Sequence, residues 1–200
     1  MADNIAITAG TGTTIATDDV GSAHHQYVKL EYGADGTATK VSSTNPLPTS
    51  NATSITMVAR ATFTITLASL ANAAARQSTM ITNSSNYPAA LVNLKITSGG
   101  SAPTAGTVYE VYLLRSDGTQ ADDGAGASDA GITIENAPLL GTIVTTATTA
   151  KAFYGVFDTA PLGPLGGSWG IAVKNSTGNA LSTTEGDHVK GYQYYYPSQA

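Results

Sequence analysis

The chain has 200 residues, enough for one medium domain with a real core plus an appendage, and its lack of cysteine excludes disulfides and thiolate metal sites. Charged residues are only 12% and the net charge is -5; the nine basic residues are scattered singly, which excludes a nucleic-acid backbone as the main partner. Hydrophobic residues reach 42%, too many for a disordered chain, and the polar remainder is Thr, Ser, Asn and Gly, which suits strands and turns.

Met1-Ala2-Asp3-Asn4 lacks the basic start and apolar core of a signal peptide, and no run has the apolar length of a membrane-spanning helix. A product made in the cytoplasm, with no membrane partner, is expected. Residues 1–17 alternate weakly. Ile5 and Ile7 fall on one face of an extended strand and Ile15 follows. Their apolar content cannot build a core, so they read as a frayed terminus or as an arm that pairs with a partner's sheet edge.

Residues 26–32 (QYVKLEY) alternate, with Tyr27, Lys29 and Glu31 on one face and Val28, Leu30 and Tyr32 on the other. Residues 33–36 (GADG) signal a turn, residues 37–41 return as a second strand, and Asn45-Pro-Leu-Pro48 ends it. A lone hairpin is marginal in water, so this one needs a surface to lie on. Residues 49–54 form a Ser/Thr/Asn linker, which divides an attachment module (1–50) from a β domain (51–200).

The β domain opens at residues 57–68 (MVARATFTITLA), where Phe63, Ile65 and Leu67 oppose Thr62, Thr64 and Thr66. Further strands are expected at 76–82, 89–98, 107–115, 132–134, 139–146, 151–157, 168–174 and 187–196. The glycine- and aspartate-rich stretch 117–131 is long for a connection and reads as mobile or functional. Residues 161–167 (PLGPLGG) force a tight connection. No helical period lasts ten residues. The layout is all-β: an antiparallel sandwich of jelly-roll type after an extended arm and hairpin, with an immunoglobulin-like strand order as the alternative.

Few residues suggest chemistry. His24-His25 could hold a metal with Asp18, Asp19 and His188, but adjacent strand residues point to opposite faces, so an interface role is the expectation. Asp117, Asp122, Asp123 and Asp129 have oxygen ligands suited to calcium, but without the alternating loop pattern a calcium site needs; a solvated loop is expected. Three Asn-x-Ser/Thr sequons are what this composition yields by chance. No G-x-S-x-G elbow poses a serine, and Gly10-Thr-Gly12 lacks a nucleotide loop's third glycine. No enzyme, cofactor or metal is expected. Tyr192, Tyr194, Tyr195 and Tyr196 could line a glycan or protein surface, or alternate between core and surface.

Residues 7–20 (ITAGTGTTIATDDV), then 27–30 (YVKL), 33–36 (GADG) and Asn45-Pro-Leu-Pro48, resemble the N-terminal region of structural proteins from tailed bacteriophages. The similarity covers about a quarter of the chain. The β body also looks like phage head-decoration and tail-associated sandwiches. The resemblance implies a virion protein, foremost a capsid decoration (cement) protein that binds the major capsid protein and forms a homo-oligomer, with a trimer suited to three-fold positions. Ile5, Ile7, Ile15, His24, His25, Tyr27, Lys29 and Glu31 would then make the partner contact. A tail, baseplate or fibre component that binds host glycans is the alternative, and a virion-associated hydrolase a third.

Overall fold

The computed structural model describes residues 17–20, 23–26, 31–32, 39–46, 53–117, 119–123 and 128–199. The chain forms two compact units, Met1–Asn51 and Ala52–Ala200.

The N-terminal unit holds two ladders. Strand β1 (Thr17–Val20) pairs antiparallel with β2 (Ala23–Gln26), and β3 (Glu31–Tyr32) with β4 (Thr39–Lys40). The second ladder pairs parts of the two strands expected on either side of residues 33–36, which themselves lie outside the described residues. The first lies mostly outside the expected strands: of the strand predicted at 26–32, Gln26 belongs to β2 and Glu31–Tyr32 to β3, and residues 27–30 lie outside the described residues. Acidic Asp18 and Asp19 lie in a strand of their own, despite their low β propensity, because β2 lies only two residues downstream to pair with them.

The second unit contains β5 (Thr53–Met57), β6 (Ala61–Thr62), β7 (Ala75–Gln77), β8 (Ile81–Thr82), β9 (Ala89–Thr97), β10 (Val108–Ser116) and β11 (Ala130–Gly131). It continues with β12 (Leu139–Val144), β13 (Ala152–Asp158), β14 (Ser168–Ser176) and β15 (Val189–Gln199). One sheet has the order β13-β9-β15-β5, with β6 also on β15; the other has the order β11-β7-β14-β10-β12, with β8 also on β14. Take β5/β6 and β7/β8 as one broken strand each and set aside short β11. The first strand then pairs with the eighth, the second with the seventh, the third with the sixth and the fourth with the fifth. That is one long hairpin rolled into a sandwich, the jelly roll. The pairs β9–β15 and β10–β14 complete the two sheets. The immunoglobulin-like order is thereby ruled out.

The core lies between the sheets because the strands alternate. Val92, Leu94 and Ile96 of β9 face Tyr109, Val111 and Leu113 of β10, and Trp169, Ile171 and Val173 of β14 complete the layer. Phe63, Ile65 and Leu67 are buried as their alternation requires, but residues 63–68 join no ladder. They cross between the sheets: Phe63 N bonds Lys190 O on one, and Thr64 O accepts Thr79 N beside the other. The Glu185 carboxylate takes the Leu67 and Ala68 N–H groups at 2.8 and 2.7 Å. A side chain thus replaces a strand partner, which no pattern of apolar residues encodes. The predicted strand at 76–82 is likewise broken where Ser78 Oγ accepts Ile171 N. The short strand expected at 132–134 falls instead at β11, because Ile132 onward leaves the ladder to cover the sheet.

Candidate functional site

In the N-terminal unit, the β1–β2 register places Asp18 opposite His25 and Asp19 opposite His24. Glu31 lies opposite Lys40. Ile5, Ile7, Ile15, Tyr27 and Lys29 lie outside the described residues. His188, considered above as a companion ligand, is buried in the second unit. Its Nδ1 accepts Thr97 N at 3.2 Å and its Nε2 lies 3.5 Å from Ser182 O, so its ring is held by backbone. Burial lowers its pKa, opposed by Ser182 and Glu185, so the neutral ring is favoured.

The terminal tyrosines do not form one surface. Tyr192 and Tyr194 point inward and are 9% and 8% exposed, packed edge-on against Trp169 at 5.3 and 5.7 Å. Tyr194 Oη accepts the Trp169 indole N–H at 2.6 Å. These two are core residues, which corrects the four-tyrosine glycan surface: alternation along β15 turns every second side chain inward. Tyr195 faces outward and donates to Asp158 Oδ1 at 2.6 Å; burial and that carboxylate push its pKa up to about 12. Tyr196 stacks on Tyr87 at 5.5 Å.

The four loop aspartates are clasps. Asp117 accepts the Thr119 and Gln120 N–H groups, each at 2.7 Å. Asp122 pairs with Arg115 at 3.1 Å. Asp123 Oδ2 gathers the N–H groups of Glu135, Asn136 and Ala137 at 3.0, 2.8 and 2.5 Å. Asp129 pairs with Arg76 and accepts Thr66 Oγ1. Burial alone would raise the Asp129 pKa, but Arg76 and Thr66 outweigh it and the net shift is downward. Among the described residues no three His, Cys, Asp or Glu side chains come together as metal ligands. So fastened, the loop lays Ile132, Ile134 and Ala137 over Leu114, Ala172 and Tyr112, and thereby covers part of the outer face of the β10–β14 sheet.

The outer face of the other sheet carries exposed apolar residues. Tyr154 and Val156 of β13 are 71% and 66% exposed, and Val189, Met57 and Ile55 are also exposed. Cross-strand register sets Tyr154 and Val189 on either side of Lys95, and Val156 and Gly191 on either side of Asn93. Between them lies a shallow cleft of about 240 Å³. Contiguous exposed apolar surface is the kind that interaction sites use in general. The sequence held a signal for it. Residues 152–158 (AFYGVFD) are apolar at both parities, yet only Phe153 and its parity face the core.

Neither a protein-family model nor a curated protein matches the sequence.

Proposed function

We propose that the protein is a structural component of a bacteriophage virion, a decoration or cement protein that binds the shell of the major capsid protein. The observation that carries the reading is the division of labour between the two units. Among the described residues, every member of the main hydrophobic cluster belongs to the second unit. The N-terminal unit consists, among the described residues, of two ladders of two strands each. Such ladders are marginal in water and gain stability by lying on a larger surface. The phage-like sequence segments fall in that unit, so the attachment role is assigned to it, and the jelly roll is the part it delivers. The glycan-binding alternative is weaker, because it relied on tyrosines of which two serve the core.

The test is reconstitution. Capsids lacking the protein should be saturated by the full chain at hundreds of copies per shell, in symmetric oligomers such as trimers. A variant without residues 1–51 should retain buried-Trp169 fluorescence yet leave the shell bare. Full occupancy by the truncated form refutes the attachment role, and localisation of the full chain to one vertex refutes decoration in favour of the tail.

A further inference from the structure

Most basic side chains of the body have partners. Arg76, Arg115, Lys174 and Lys190 each face a carboxylate. Lys151 donates to Thr146 Oγ1 at 3.0 Å and lies over the Phe153 ring. Arg60 and Lys95, among the described residues, have neither a carboxylate nor a hydrogen-bond acceptor. Lys151 also lacks a carboxylate but has that hydroxyl and ring; Arg60 and Lys95 have neither, and both line the same cleft on the outer face of the β13-β9-β15 sheet.

Their positions are built in. Arg60 lies flat on bare backbone at Gly191, where an added Cβ would come within 2.4 Å of Nε and 2.6 Å of Nη2. Lys95 lies one row away on the neighbouring strand, since Val189, not Gly191, is its register partner. Successive same-face rows are about 6.6 Å apart, the repeat of alternate side chains on any extended peptide. Exposed Tyr154, Val156 and Val189 supply apolar walls beside the two cations. Asp158, on the same face, is already engaged by Tyr195.

We propose that this cleft binds an extended acidic segment of a partner protein, with carboxylates on Arg60 and Lys95 and an apolar side chain against Tyr154, Val156 and Val189. Charge complementarity selects the acid, and the apolar walls select a peptide over a sugar. A saccharide ring presents several hydroxyls, whereas the lining side chains offer only two uncharged polar groups, the Asn93 amide and the Tyr154 phenol. The inference stands apart from the attachment role of the N-terminal unit.

The test uses the full chain, isotope-labelled, and a synthetic alternating Asp-Leu hexapeptide capped at both ends. Amide shifts should concentrate at residues 93–95, 154–156 and 189–191. Binding should weaken with salt and fall at least about tenfold in the Arg60→Glu/Lys95→Glu double variant, a loss of about 1.4 kcal/mol. Tyr154→Ala should also weaken it, while unchanged Trp169 fluorescence reports that each variant is folded. Equal binding of a Lys-Leu hexapeptide, shifts at other residues, or unchanged affinity in the double variant would overturn the proposal. Tighter binding of a glucuronate oligosaccharide at these amides reassigns the cleft to an acidic glycan. Self-association abolished by the double variant reassigns it to a second copy of the chain.

Discussion

Removal of one oxygen atom should have three different outcomes at three tyrosines of the jelly roll. Trp169 is fully buried, and its indole N–H, which can only donate, is satisfied by Tyr194 Oη at 2.6 Å. Tyr194→Phe leaves the ring packing intact but orphans that N–H in the core, at a cost of about 1–3 kcal/mol. For a body of this size each kcal/mol is about 2–4 °C, so Tm should fall by about 2–12 °C. Tyr195→Phe removes a bond of the same length to Asp158, but on the exposed face, where water replaces the phenol; the loss should stay below about 1 kcal/mol. Tyr109 is the opposite case. Its hydroxyl is fully buried and makes no hydrogen bond. Burial raises its pKa; the nearby Thr177 hydroxyl opposes the rise but donates its own proton to Asn175 Oδ1 at 2.7 Å. Tyr109→Phe deletes an unmet polar group and should stabilise by about 1 kcal/mol.

Urea unfolding followed by fluorescence makes the comparison clean, because Trp169 is the chain's only tryptophan and reports on the jelly roll alone. The expected order of midpoints is Tyr109→Phe above wild type, Tyr195→Phe just below, and Tyr194→Phe lowest. If Tyr109→Phe were destabilised as much as Tyr194→Phe, the reasoning from hydrogen-bond satisfaction would fail.

Acid should destabilise the body in two stages. Burial depresses the His188 pKa, so the unfolded chain takes up that proton first and stability falls as pH drops below about 6.5. Partial burial alone would raise the pKa values of Glu185, Asp123 and Asp129, but their N–H, hydroxyl and cationic partners outweigh it and lower them; their contribution is present above about pH 4 and is lost as pH falls through the folded values. In His188→Gln, midpoints measured across pH should lose the first stage and keep the second; persistence of the first would exclude His188 as its source. Glu185→Ala strips the acceptor from Leu67 and Ala68 N and the partner from Lys190, and should cost about 1–2 kcal/mol, discounted for partial exposure. A melt within about 0.3 kcal/mol of wild type would show that water substitutes fully. Gly155→Ala places a Cβ 2.6 Å from the Phe157 ring and 2.8 Å from Ile143, so overpacking should cost about 1–3 kcal/mol in the same melt; no change would mean that Phe157 swings clear freely.

The sandwich was legible because its long strands carry period-two alternation: residues 89–98, 107–115, 151–157 and 168–174 each match a strand to within a few residues. Strand order was not legible, since it depends on pairings such as β5 with β15, more than a hundred residues apart. Where a side chain takes over a backbone role, pattern reading also failed. Glu185 caps residues 67–68, Ser78 interrupts a strand, and Asp123 fastens residues 135–137. The two cores of Tyr192 and Tyr194 versus the open Tyr195 were readable from parity alone, provided the strand's inward parity was known from its neighbours. The apolar outer face was only half legible: residues 152–158 are apolar at both parities, but which parity stays outside could not be read. An apolar residue carries no mark of which side of a sheet it will occupy until the register is fixed.

The two outer faces of the sandwich are treated differently by the same chain. Over the β10–β14 sheet, the loop after β10 supplies its own apolar cover, and the acids that hold that loop consume Arg76 and Arg115. Glu110 and Lys174 neutralise each other on the same face. Over the β13-β9-β15 sheet, no comparable segment among the described residues covers Tyr154, Val156 and Val189, and Arg60 and Lys95 keep their charge. Under the loop that face has its apolar residues covered and its charges paired, and only Leu139 and Val144 of the edge strand β12 stay exposed there among the large apolar residues described, with no unpaired cation beside them in the described hydrogen bonds and ion pairs. A face with both left open has the two terms, apolar area and uncompensated charge, from which a specific interface is built. Grafting an acidic residue beside the open cations tests this directly. Asn93→Asp, between Val156 and Gly191 in the register, should offset one of the cleft's two positive charges from within, weaken the Asp-Leu peptide several-fold, and leave the urea midpoint unchanged within about 0.5 kcal/mol. Peptide affinity that survived Asn93→Asp would mean that the open charges do not define the surface.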